Sequence, residues 1–76
     1  MKRYARIKSY QGDEIFPKKA IGKIVELVGE ERISFTGHPF YKVKFLDKDL
    51  KMWNGAQLAG GGYFDEIYTT NLIILK

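Results

Sequence analysis

The residues best suited to chemistry in this 76-residue chain are cations and aromatics at alternating spacing. In residues 40–45, Tyr41, Val43 and Phe45 point to one side of an extended chain, and Lys42 and Lys44 point to the other. Residues 50–53 repeat the alternation after the short connection Asp47, Lys48, Asp49. Paired as a hairpin, the two segments put Lys42, Lys44, Lys51 and Trp53 on one outward face. Tyr63 and Phe64 bring further rings to its neighbourhood, and Arg6 and Lys8 extend the surface or form a second one. Lysine and arginine hold phosphate or carboxylate, while exposed aromatics stack on bases or anchor in a partner's pocket. The pattern predicts a contact face. Trp53 has a second reading, as a core residue with the lysines guarding a sheet edge.

Little else in the chain could do chemistry. His38 is the only histidine and there is no cysteine, which excludes a disulfide, a thiolate zinc site and an iron–sulfur cluster. His38 stands beside Pro39 at a turn, where a solvated or backbone-bonded role is expected. Ser9 and Ser34 have no recognisable base partner. Asp13 with Glu14, and Asp65 with Glu66, resemble acid/base pairs, but neighbours on a strand face opposite ways. They read as solvated loop charges. Glycines 60–62 are followed by Tyr63 and Phe64 with no helix evident in the sequence, so they are expected to be a flexible loop tip rather than a phosphate cradle. The expectation is a non-enzymatic protein with no cofactor and no metal.

Thirteen Lys and Arg against nine Asp and Glu give a net charge of +4, with the acidic residues spread along the chain. A chain this short makes one domain, spanning residues 1–76, and buries roughly 60% of the surface its unfolded form exposes. No apolar run approaches the ~20 residues that cross a bilayer. The basic N-terminus lacks the apolar stretch of a secretory signal. A cytoplasmic protein without membrane attachment is expected.

These residues must be positioned by strands. Residues 3–10 alternate, with Ala5, Ile7 and Ser9 on one side and Tyr4, Arg6, Lys8 and Tyr10 on the other. A turn at 11–14 and Pro17 break the chain, and Ile15 and Phe16 fold back toward the core. Residues 20–28 form a second strand whose apolar residues do not alternate strictly. Either both faces are covered or a bulge follows Gly22, and a helix competes. Residues 29–39 make a polar connection with Ile33 and Phe35 at its centre and a turn at 36–39. After the hairpin, which ends at Asn54 and Gly55, a single helical or tight turn at 69–71 leads to a closing strand at 72–75. Short strands with turns between them predict an all-β fold, a small five-stranded barrel.

Three segments resemble the SH3-like barrel. Gly22-Lys23-Ile24-Val25-Glu26-Leu27 is similar to the Gly-x-Val-x-x-Leu strand these barrels share, KOW domains included. Pro39-Phe40-Tyr41-Lys42-Val43-Lys44-Phe45 resembles the Pro-x-x-Val-x-Phe strand of the ferredoxin–thioredoxin reductase variable chain. Residues 70–75 resemble the turn-then-strand ending. The resemblance implies the fold, and the basic and aromatic face on so small a β domain implies a binding module. Its partner is expected to be a protein, with nucleic acid bound by the same face as the alternative. A stand-alone basic barrel of this size suits a phage or mobile-element product that blocks a host complex.

Overall fold

In the computed structural model, which describes residues 2–8, 18–57 and 62–75, five strands make one antiparallel sheet. They are β1 (Arg3–Ile7), β2 (Ile24–Ile33), β3 (Pro39–Phe45), β4 (Glu66–Tyr68) and β5 (Leu72–Ile74). Their order across the sheet is β4-β3-β2-β1-β5. The all-β expectation holds. Strict period-two patterning explains the inner strands: Ala5 and Ile7 of β1, Val25 and Leu27 of β2, and Val43 and Phe45 of β3 are buried, and they meet Leu50, Phe64, Ile67 and Leu72 in one core cluster. Ser9 and Tyr10, the loop with Ile15 and Phe16, and Gly60 and Gly61 of the glycine run lie outside the described residues.

Three expectations are corrected. The second strand does not stop at Val28. A bulge between Val28 and Arg32, with Gly29 at a φ of 76°, interrupts the ladder before it resumes as Arg32↔Phe40 and Ile33↔Pro39. Residues 29–33 are all exposed, so this half of the ribbon has no core-facing alternation to betray it.

Residues 50–53 are not a strand either. The Asp49 N–H bonds Asp47 Oδ1 at 2.9 Å, and turns follow from Leu50 N to Asp47 O and from Trp53 N to Leu50 O. The Lys51–Trp53 segment is a 3₁₀ turn. A three-residue period turns Leu50 and Trp53 inward together and leaves Lys51 and Met52 outside, which a strand cannot do.

The sheet also does not close into a barrel. A 3₁₀ turn, Thr69–Asn71, separates β4 from β5, and the two strands part to opposite edges, β4 beside β3 and β5 beside β1. Five antiparallel strands in this order remain compatible with a small β-barrel. Among the described residues no helix is long and apolar enough to cross a membrane.

Candidate functional site

Residues directly opposite in an antiparallel ladder share a face, so the register assembles the outer surface of the sheet. Glu66, Lys42 and Val28 form one row across β4, β3 and β2. Lys44, Glu26 and Tyr4 form the next across β3, β2 and β1, and Ile24, Arg6 and Ile73 the one after that across β2, β1 and β5. Val28 and Ile73 are 42% and 46% exposed. Cations, carboxylates and apolar groups therefore alternate over this surface.

Lys42 is the best-fixed cation of the group. Its Nζ lies 3.1 Å from Asp65 Oδ2 and 5.5 Å from the centre of the Tyr63 ring. The same carboxylate oxygen accepts the Gly55 N–H at 2.8 Å. Asp65 is only 2% exposed, and its Oδ1 is buried with no hydrogen-bond partner among the described residues. Asn54 completes the edge of β3 beyond β4: its Oδ1 accepts the Phe45 N–H at 2.8 Å and its Nδ2 donates to the Phe45 carbonyl at 3.2 Å. Between these groups and the sheet runs a shallow groove of about 280 Å³ lined by Val28, Lys42, Lys44, Asn54, Gly55 and Asp65.

The structure brings together only part of the face expected from the sequence. Lys42 and Lys44 share the outer surface, with the half-exposed ring of Tyr63 against Lys42. Arg6 lies on the same surface two strands away, and its Nη1 donates to the Gly22 carbonyl at 3.0 Å. Lys8 is exposed just past β1, where its N–H bonds the Asn71 carbonyl.

Lys51 and Trp53 do not share this surface, because the 3₁₀ turn replaces the strand that was to carry them. Lys51 is solvated, whereas Trp53 packs on the core, its ring tilted 56° to that of Phe64 at 4.4 Å between centroids. Phe64 is itself buried, at 8% exposure, and cannot serve as a surface anchor. His38 is exposed, with its N–H on Ser34 Oγ and its ring 5.3 Å from that of Tyr68.

Asp65 is the residue that sequence reasoning placed wrongly, as a solvated loop charge. Its signal was the company it keeps, since Phe64 on one side and Ile67 two residues on both enter the core. Glu26, Glu66 and Val28 also belong to the outer surface and went unnoticed, whereas Tyr4 was expected on the side of β1 that carries Arg6. Their role follows from register, which single-strand patterns do not supply. On the opposite flank, Asp47 accepts the Asp49 N–H and pairs with Lys23 at 3.2 Å, and these contacts hold its carboxyl below the ordinary value of 3.8. Among the described residues, no three His, Cys, Asp or Glu side chains gather where they could hold a metal. Comparison of the chain with protein-family models, curated proteins and solved structures gave no match.

Proposed function

We propose that this chain is a non-enzymatic docking module that binds a partner protein through the outer face of its sheet. One observation carries the reading: the rows Glu66–Lys42–Val28 and Lys44–Glu26–Tyr4 alternate charge sign with exposed apolar surface. Such a mosaic suits a protein interface, where charges set orientation and apolar groups supply contact area. A phosphate backbone asks instead for cations without carboxylates between them, and Glu26 and Glu66 stand among the lysines here. The strand order and the 3₁₀ turn between β4 and β5 support an SH3-like reading of the fold. A module of this size suits a role as an inhibitor that occupies a host complex, as a phage or mobile-element product would. The test is retention of a protein from host extract with and without nuclease, at low and high salt. Binding that survives nuclease supports the proposal; binding lost to nuclease replaces it with a nucleic-acid function.

A further inference from the structure

The ribbon formed by the end of β2 and the start of β3 terminates in a turn whose most prominent feature is Phe35, fully exposed, with Ile33 largely exposed two residues before it. The turn is tightly held. Ser34 N–H bonds the His38 carbonyl at 2.8 Å, Gly37 N–H bonds the Ser34 carbonyl at 2.8 Å, and Ser34 Oγ accepts the His38 N–H at 3.0 Å while contacting Thr36 Oγ1 at 2.9 Å. Gly37 supplies the φ of 89° that closes it. The ring is thus displayed by an ordered scaffold, which spares a binding partner part of the cost of ordering it.

We infer that Phe35 is an anchor that inserts into an apolar pocket of a folded partner protein, a pocket rimmed by basic side chains. The occupant follows from charge. Residues 29–40 carry Glu30 and Glu31 against Arg32 alone, so the ribbon is net negative in a chain of net charge +4. Carboxylates beside the tip oppose an anionic bilayer and a phosphate backbone, and they complement a lysine- or arginine-rimmed pocket. The Glu31 carboxylate is held at the side of the ribbon, its Oε2 accepting from Thr69 Oγ1 at 2.6 Å. A single exposed aromatic with one aliphatic neighbour is far smaller than a self-sufficient dimer interface, so a pocket fits better than a second copy of the same tip. This contact is separate from the sheet face and does not depend on it.

The test places the photocrosslinker benzoylphenylalanine at position 35 of the full chain and exposes it to host extract, with unlabelled variants as competitors. Support is a crosslink to one protein, mapped to residues that line an apolar pocket flanked by Lys or Arg. Wild type should compete it away, as should Met52→Ala, which removes another exposed apolar side chain far from the turn. Phe35→Ala should compete about 30-fold less well, as expected for an aromatic hot spot. Because Phe35 touches little of its own chain, an unchanged melting curve is expected for that variant. Equal competition by Phe35→Ala overturns the inference, as do crosslinks scattered over many proteins. Phe35-dependent sedimentation with phosphatidylcholine–phosphatidylglycerol vesicles also overturns it. A Lys44→Glu competitor separates this inference from the sheet-face proposal: full competition by Lys44→Glu with failure of Phe35→Ala shows the tip binding without help from the face. The reverse pattern removes the tip alone.

Discussion

Lys42 and Asp65 are joined by an ion pair of 3.1 Å in which one partner is nearly half exposed and the other almost wholly buried. The asymmetry decides what the pair does. Removing the exposed lysine leaves a buried carboxylate with the Gly55 N–H as its remaining donor among the described residues. Lys42→Ala should therefore destabilise the fold by about 1–3 kcal/mol. Lys44→Ala, on the same face but solvated, should stay within about 0.5 kcal/mol of wild type. Urea unfolding of the two variants checks the contrast, and equal midpoints would show that the pair contributes nothing to stability.

Trp53→Ala addresses the neighbouring turn. The indole packs on Phe64 and the core cluster while remaining half-buried. A loss on the order of 2–4 kcal/mol is expected, below the full cost of emptying a buried tryptophan site. In a domain this small, that is a large share of total stability. Thermal melting followed by circular dichroism measures it. A variant that melts like wild type would return Trp53 to the role of a surface contact.

Acid should weaken the link between β2 and the loop after β3. The Asp47 carboxyl is held below 3.8 chiefly by the Asp49 N–H and then by Lys23. A depressed carboxyl contributes stability that is fully present above the unfolded value and lost as pH falls through the lower folded value. Wild type should therefore exceed Asp47→Asn by a constant margin above about pH 4, and the margin should shrink below it. Denaturant titrations at stepped pH read the difference, and salt should narrow it because the Lys23 pair is open to solvent.

Much of the sheet was legible in the chain because the core strands obey a period of two. Ala5, Ile7, Val43 and Phe45 declare their side by alternation alone, and residues 69–71 announced the turn before the last strand. The end of β2 was not legible, because Glu30 and Glu31 fall where the ladder is interrupted and Arg32, where pairing resumes, stands clear of the core. Residues 50–53 misled for the opposite reason: Leu-Lys-Met-Trp reads as period two, and the Asp47 turn imposes period three. The candidate site suffered most from this. Its cations were visible as types, but the carboxylates between them depend on which strands are neighbours, and Asp65 finds a hydrogen-bond donor in Gly55, ten residues away.

The central claim is that the outer sheet face docks a protein. The most direct measurement is quantitative retention of partner from nuclease-treated host extract by wild type and by the Arg6→Glu, Lys44→Glu double variant, both verified as folded by their melting curves. The docking reading predicts nuclease-resistant retention by wild type and its loss in the double variant. Equal retention by both, or release of the bound material by nuclease, would contradict it.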